Sequence, residues 1–270
     1  MATSIREQFR VTKKTEIKDE NAALKPLSSG DKAADKVTVQ TLALQIAEQQ
    51  AMLYASHSKK VLVVLQGMDT SGKDGTVNGV FGSVNPEGIR VISYKAPSPL
   101  ELQHDYLWRI HQQVPKQGEL AVFNRSHYED VLITRVHDWI DAAEAKRRYG
   151  HINDFERMLS ETGTVVLKFF LHISKEEQRS RLQERVDDPN KHWKFDVQDL
   201  EERKSWDDYQ KVYLQAIQAT DTDHAPWYVI PANSKTHRNL AIANIVLETL
   251  QGMKLAYPPA KKELAGLKVS

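Results

Sequence analysis

The chain has 270 residues, of which 40% are hydrophobic and 27% are charged, an ordinary composition for a globular protein. It contains no cysteine, which excludes a disulfide framework, a thiolate metal site and a cysteine nucleophile. The 37 basic and 36 acidic residues leave a net charge of +1, so overall charge predicts no nucleic-acid partner, and any phosphate-binding groups must be concentrated locally.

The N-terminal region is polar, and we interpret residues 1–35 as an extended or partly ordered arm. It has no apolar run, so we expect no signal peptide. No stretch approaches the roughly 18 apolar residues of a membrane span. We therefore expect a cytoplasmic protein that has no membrane partner. The apolar spacing over 37–57 predicts a helix, whose exposed face offers a surface for a homo-oligomer.

The stretch from Val61 to Gly75, VLVVLQGMDTSGKDG, predicts a strand, a glycine loop and a helix over 73–84. It contains the spacing G-x-x-x-x-G-K of a P-loop, which ends at Lys73. In such a loop, backbone N–H groups and the helix N-terminus bind phosphate. The other loop residues that we expect to bind phosphate or nucleotide are Gly67, Thr70, Ser71, Gly72, Asp74 and Gly75.

Two carboxylates distinguish this loop from a standard P-loop. Asp74 takes the place of the Ser or Thr that would ligate Mg²⁺, and Asp69 lies inside the loop. Many P-loop enzymes also place an Asp after a second strand, where this chain has Asn124. Because an amide is a weaker ligand for a hard cation than a carboxylate, Asp69 is the predicted metal ligand, with Asn124 acting directly or through water. A polar helix cap is the alternative interpretation of Asn124.

Alternating strands and helices predict a parallel five-stranded α/β sheet of the P-loop kinase kind, covered by helices on both faces. The strands are expected at 61–65, 89–94, 119–123, 164–173 and 227–230. The helices after the P-loop are expected at 98–114, 126–139, 142–162, 174–188, 198–220 and 235–252. This gives one domain over 36–258 and a tail over 259–270. Ligands of parallel sheets bind at the carboxyl ends of the strands, so the P-loop, Lys95, Asn124-Arg125 and the segment after Ile173 should converge.

The segment at about 178–205 is rich in charge, and we interpret it as a helical lid over phosphates. Arg181 and Arg185 are four residues apart and share a helix face, and Lys194 follows. A solvated charged surface is the alternative interpretation. We interpret Trp193 as a packing residue of the lid rather than a stacking platform for a base.

The strand ends thus predict a mostly cationic cleft that contains carboxylates. Phosphoryl transfer needs this mixture, because cations neutralise the transferred group and a carboxylate holds Mg²⁺. Lys73 and Arg125 are the expected catalytic cations, and Asp69 is the expected catalytic carboxylate.

Four sequence blocks resemble the polyphosphate kinase 2 family: GMDTSGKDG, LQHDYLWRIH, VFNRSHYEDVLITRVHDWI and DDPNKHWKF. The resemblance covers about residues 37–255 and is strongest to the single-domain, class III type. It implies a P-loop kinase fold with a helical lid. It also implies phosphoryl transfer between inorganic polyphosphate and AMP, ADP or ATP, with Mg²⁺ as cofactor and Mn²⁺ as the alternative ion.

The resemblance also implies roles for particular residues. Asp69 and Lys73 match the loop carboxylate and lysine of the family. Asn124-Arg125 matches a motif that is Asp-Arg in many members, and Glu129 is our candidate for the carboxylate that replaces the missing Asp. The basic residues that resemble those along the polyphosphate channel and nucleotide site are Lys95, Arg109, Arg125, Arg135, Arg181 and Arg185.

Two other functions remain open at this stage. An ATP-dependent nucleoside or nucleotide monophosphate kinase is the nearest, because its second strand often ends in Asp-Arg. A non-catalytic phosphate-binding module is the other, and Asp69 speaks against it because a phosphate binder gains nothing from a negative charge.

Overall fold

The computed structural model describes residues 4–262 and 268–269. Its strands are β1 (Lys60–Gln66), β2 (Ile89–Ser93), β3 (Leu120–Asn124), β4 (Thr164–His172) and β5 (Trp227–Pro231). Its helices are α1 (Ile5–Phe9), α2 (Lys32–Ser56), α3 (Lys73–Phe81), α4 (Trp108–His111), α5 (Ile133–Val136), α6 (Ala142–Glu161), α7 (Lys175–Asp187), α8 (Gln198–Lys204), α9 (Trp206–Thr220) and α10 (Lys235–Gly252). The predicted tail, 259–270, lies partly outside the described residues.

The five strands form one parallel sheet in the order β2-β3-β1-β4-β5, which confirms the predicted fold class. Residues Val61 to Leu65 of β1 are fully buried, because helices cover both faces of the sheet. One helical layer contains α2, α3 and α10, and the other contains α6 and α9. Leu65 of β1 pairs with Asn124 of β3, so the carboxyl ends of these central strands lie side by side.

The predicted helix over 98–114 is wrong. The structure has a 3₁₀ turn at Glu101–Gln103 and the short helix α4 instead. The side chain of Glu101 accepts a hydrogen bond from the Ser98 backbone N–H at 2.7 Å, which closes a first turn. Asp105 accepts from the Leu107 N–H at 2.9 Å and starts a second one. Such local side-chain bonds compete with a continuous helix.

Two further predicted helices are divided. The 126–139 segment forms a 3₁₀ helix at His127–Val131 and then α5, and the 198–220 segment divides at Ser205 into α8 and α9. The division separates two environments, because Trp206 at the start of α9 is buried whereas α8 has no buried residue. The helix α8 is therefore an exposed part of the segment interpreted as a lid, whereas α9 belongs to the core.

The segment before α2 packs against the sheet rather than extending from it. Phe9 and Val11 are buried, and the Val11 N–H donates to the Trp227 carbonyl at 3.0 Å, along the outer edge of β5. The helix α2 begins at Lys32 rather than near Val37, since Asp31 caps it through the Ala33 N–H. Among the described residues, no helix is both long and apolar enough to cross a membrane.

Candidate active site

The glycine loop joins β1 to α3 at the carboxyl edge of the sheet, as its spacing predicts. Gly67 and Gly72 have φ values of 151° and 101°, in the region that favours glycine. At Gly67 a Cβ atom would also lie 2.7 Å from the Leu171 carbonyl oxygen. The helix α3 begins at Lys73, so its N-terminal N–H groups face the loop.

Lys73 is buried at the centre of this loop. Its ammonium donates to the carbonyl oxygens of Gly67 at 2.8 Å and Met68 at 3.3 Å. Burial, and then the charge of Arg125, lower the pKa of Lys73 to about 8. A negatively charged phosphate would reverse this shift, because it favours the ammonium form.

Asp69 and Arg125 form an ion pair across the mouth of the loop. Arg125 follows β3, and its backbone N–H donates to the Leu65 carbonyl at 3.0 Å. Glu129 lies on the other side of the guanidinium, with a carboxylate oxygen 3.8 Å from Nη1. The guanidinium is therefore fixed between two acids while part of it stays accessible to the cleft.

Asn124 contacts the second loop carboxylate. Its amide nitrogen donates to Asp74 Oδ1 at 2.6 Å, so the amide that replaces the usual acid holds Asp74 in place. The hydroxyl groups of Thr70, Ser71 and Thr76 are buried and have no hydrogen-bond partner within the described part of the chain. Buried hydroxyl groups are normally paired, and of these three residues Thr70 alone also lines the cleft.

These groups line a cleft of about 670 Å³ between the loop and the lid. The predicted site residues that line it are Asp69, Thr70, Gly72, Lys73, Asp74, Gly75, Lys95, Asn124, Arg125, Arg181, Arg185 and Lys194. From the lid, Arg185 donates to the Lys194 carbonyl at 2.8 Å and pairs with Asp199 at 3.2 Å. Burial, and then the charge of Asp69, raise the pKa of Asp199 to about 6.

Several predicted residues lie outside the cleft lining. Gly67 and Ser71 belong to the loop but do not line the cleft, and Ser71 is fully buried. Arg109 is buried behind the cleft and donates to the Lys95 carbonyl at 2.9 Å, so it supports the backbone of Lys95 rather than presenting its charge. Arg135 of α5 pairs at 2.9 Å with Asp138, which follows the helix.

Glu129 does not line the cleft and lies next to Arg125, so its role at the metal stays a prediction. Trp193 corrects an interpretation made from the sequence. It is 79% exposed and lines the cleft, so it is not a packing residue of the lid. The ammonium of Lys194 lies 4.7 Å from the centre of its ring, within the range of a cation–π contact.

Sequence reasoning missed the wall formed by α10. Lys235 and Arg238 line the cleft, immediately after the fifth strand. Ligands bind at the carboxyl ends of parallel strands, and these two residues follow the carboxyl end of β5, so the signal was present in the sequence. The lid acids Glu184, Asp196 and Asp199 were also missed. The sequence pattern of a charged helix face is the same whether that face contacts solvent or a cleft.

The donor set fits Mg²⁺ bound with substrate phosphates. Asp69 and Asp74 line the cleft and supply carboxylate oxygens. No group of three or more His, Cys, Asp or Glu within 4–262 and 268–269 could hold a metal by itself. Mg²⁺ commonly takes one or two carboxylates and completes its octahedron with water and phosphate oxygens.

Residues 29–258 match the model of the family described as Polyphosphate kinase 2 (PPK2). An AMP/ADP-polyphosphate phosphotransferase of Meiothermus ruber is 54% identical over 229 residues, which are 85% of this chain and 86% of the relative. An ADP-polyphosphate phosphotransferase of Rhodopseudomonas palustris is 42% identical over 81% of both chains. The crystal structure of polyphosphate kinase 2 from Arthrobacter aurescens TC1 superposes with a TM-score of 0.94 at 44% identity, over 98% of this chain and 95% of that one. The chain belongs to the polyphosphate kinase 2 family.

Proposed function

We propose that this protein transfers phosphoryl groups between inorganic polyphosphate and adenine nucleotides, converting AMP to ADP and ADP to ATP. The observation that carries the proposal is the cleft in which Lys73 and Arg125 stand beside Asp69 while lid cations lie opposite. The names of the Meiothermus ruber and Rhodopseudomonas palustris relatives support the same substrates. Two phosphate chains would meet in this cleft, one from each substrate.

The residues would act by position and charge. Lys73 and Arg125 would neutralise the oxygens of the transferred group, which carry much of the charge in the transition state. Arg185 and Lys194 would approach from the lid and exclude water, so that the group passes to nucleotide rather than to water. An ionised acceptor phosphate needs no general base. The cleft would only have to align the attacking oxygen of the acceptor with the leaving oxygen of the donor.

We propose Mg²⁺ as the cofactor, with Mn²⁺ as the alternative ion, held by Asp69 and Asp74 together with substrate oxygens. When bound, the ion would withdraw charge from the phosphates and fix their relative orientation. Asn124 would act on Asp74, whose carboxylate it orients through the 2.6 Å hydrogen bond.

A turnover assay tests the proposed function. Purified protein is incubated with Mg²⁺, long-chain polyphosphate and either AMP or ADP, and the nucleotides are separated by chromatography. We expect ADP from AMP and ATP from ADP. If neither product forms, the proposed function is wrong. The rival kinase activity is tested with ATP and a panel of nucleoside monophosphates without polyphosphate, where phosphorylation would favour that rival.

We also propose a homo-oligomer and a cytoplasmic location. Val37 and Leu44 are exposed on α2, at 62% and 59%, which supports self-association through this helix. A chain without cysteine fits the reducing cytoplasm, which supports the proposed location. Analytical ultracentrifugation of wild type and of Leu44→Glu tests the first proposal, since a monomeric wild type would contradict it.

A further inference from the structure

Arg238 lies in the first turn of α10 and reaches over the start of α3. It lines the cleft, yet the residue is only 2% exposed. A Cβ atom at Gly72 would lie 1.8 Å from Arg238 Nη1, and one at Gly75 would lie 2.9 Å from Nη2. The absence of side chains at these two loop positions therefore allows the guanidinium to reach the N-terminus of α3.

The acceptors of this guanidinium are uncharged. Nε and Nη2 donate to the amide oxygen of Asn239 at 3.1 and 2.9 Å, and Nη1 reaches the Ser71 carbonyl only at 3.4 Å. No carboxylate among the described residues lies within ion-pair distance of it. Burial, and then the charge of Arg181, lower the pKa of Arg238 to about 9. A buried charge without a counter-charge is costly.

Arg181 is the informative contrast, because it is also buried and lies beside the same loop. Its Nε pairs with the Glu177 carboxylate at 2.7 Å. Its other nitrogens donate to four carbonyl oxygens, those of Thr70, Ser71, Ala232 and Asn233, at 2.7–3.2 Å. Arg181 is therefore a paired structural brace between the loop and β5, whereas Arg238 keeps its charge uncompensated.

We propose that Arg238 binds a phosphate oxygen of the substrate chain seated at the first turn of α3. The phosphate would supply the negative charge that no neighbouring side chain provides. It would also lie against the backbone N–H groups of the first turn of α3. The nature of the anion rests on the proposed function. The chain could belong to polyphosphate or to the nucleotide, and the two are separated by experiment.

Calorimetric titration tests the assignment without turnover. Inorganic tripolyphosphate and ADP are each titrated, in separate experiments, into wild type, Arg238→Met, Arg238→Lys and Arg179→Met. Arg179 is the matched control, since its side chain is 61% exposed and pairs with Glu176 on the surface of α7. For Arg238→Met we expect Kd to rise about 10- to 100-fold for at least one ligand, the usual loss for a charge-assisted hydrogen bond. Arg238→Lys should recover part of the affinity, and Arg179→Met should match wild type.

The ligand whose affinity falls identifies the source of the phosphate. Unchanged Kd values for both ligands in Arg238→Met would overturn the assignment. A purely structural arginine would lower the melting temperature of the free protein and leave both Kd values unchanged. The proposed function is judged separately by wild-type turnover. If turnover is absent but Arg238→Met binds tripolyphosphate more weakly, the phosphate contact stands and only the activity is refuted.

Discussion

Arg125 has a φ of 63°, a conformation that residues with a side chain rarely adopt. Its backbone is held by the hydrogen bond to Leu65, and its guanidinium is held by Asp69 and Glu129. Non-glycine residues in this region cost about 1–3 kcal/mol and persist where surrounding contacts determine them. The backbone conformation of Arg125 therefore costs local stability. In return, it orients this side chain toward the cleft.

The carboxylate of Asp69 should matter for turnover more than for folding. We expect Asp69→Asn to lower kcat on the order of 100-fold, because it removes the predicted metal ligand, and to raise the Mg²⁺ concentration needed for half-maximal activity. Circular dichroism should show a folded protein. Near-normal turnover in this variant would remove Asp69 from the metal site, and Asp74→Asn, assayed in parallel, would reveal whether the second carboxylate takes its place.

The affinity for phosphate should depend on the charge of Lys73. In the free protein its pKa is about 8, and a bound phosphate raises it, so binding takes up a proton above pH 8. We expect the Kd for tripolyphosphate to rise as the pH increases from 8 to 10, by at most about tenfold per pH unit for this one group. In Lys73→Met the inflection near pH 8 should disappear. If the wild-type profile is flat over this range, the ammonium is not the group that binds.

The lowered pKa of Lys73 also makes the free energy of unfolding depend on pH. Because folding lowers the pKa of Lys73, the unfolded chain holds this proton more tightly between pH 8 and the ordinary lysine value of 10.5. The free protein should therefore gain stability from this group as pH rises through that window, and the penalty is fully present below pH 8. Phosphate binding relieves the penalty, so stability and affinity change with pH in opposite directions.

At the scale of elements, the segment interpreted as a lid differs from the core in how much of it is buried. The division at Ser205 places the exposed helix α8 over the cleft and leaves Trp206 buried at the start of α9. Lid segments such as Pro189–Lys194 have no buried residue. Elements with few buried apolar contacts open at low free energy, which suits a cover that must admit two substrates.

Substitution of two tryptophans, Trp193 in the lid segment and Trp206 in the core, tests this difference. We expect Trp193→Ala to change the free energy of unfolding by less than about 0.5 kcal/mol, because the residue is 79% exposed, while turnover falls. Trp206→Ala should cost about 3–5 kcal/mol, since that residue is 2% exposed. Urea denaturation and the polyphosphate assay measure the two effects. A Trp193→Ala protein with full activity would show that the cleft does not use this ring.

The elements that sequence could predict are those set by local pattern. The apolar run at Val61–Leu65 and the glycine spacing after it define a buried strand and a loop without help from distant residues. The breaks near Asp105 and Ser205 arise from side-chain bonds and from burial against other elements, which periodicity does not report. Arg181 and Arg238 show the limit for the site: both are arginines near the loop, and only the packed structure shows which of them lacks a counter-charge.

At the scale of the whole molecule, a buried ionic cluster joins the sheet to the helical layer of α6 and α9. Lys168 of β4 donates to Glu156 of α6 at 2.5 Å and to the Tyr128 hydroxyl at 2.9 Å. His127 lies 3.3 Å from the same carboxylate, three positions after Asn124. Burial alone would raise the pKa of Glu156, but Lys168 and His127 hold it below its ordinary value. The cluster therefore ties the segment that follows Arg125 to β4 and to α6.

Removing one charge of this cluster should destabilise the whole protein. We expect Glu156→Gln to lower the free energy of unfolding by about 3–5 kcal/mol, because Lys168 would remain buried without a counter-charge. Lys168→Met combined with Glu156→Gln should recover part of this loss, since no charge is then left unpaired. Urea denaturation measures both variants. An additive loss in the double variant would contradict the pairing.

The packing of the N-terminal segment has a consequence for aggregation. Val11 and the bridge between Arg10 and Tyr228 occupy the outer edge of β5, where exposed backbone groups could otherwise recruit a strand of another molecule. The opposite outer strand is β2. Because Trp227 and Tyr228 of the β5 edge are already paired, strand addition between copies is favoured at β2 over β5.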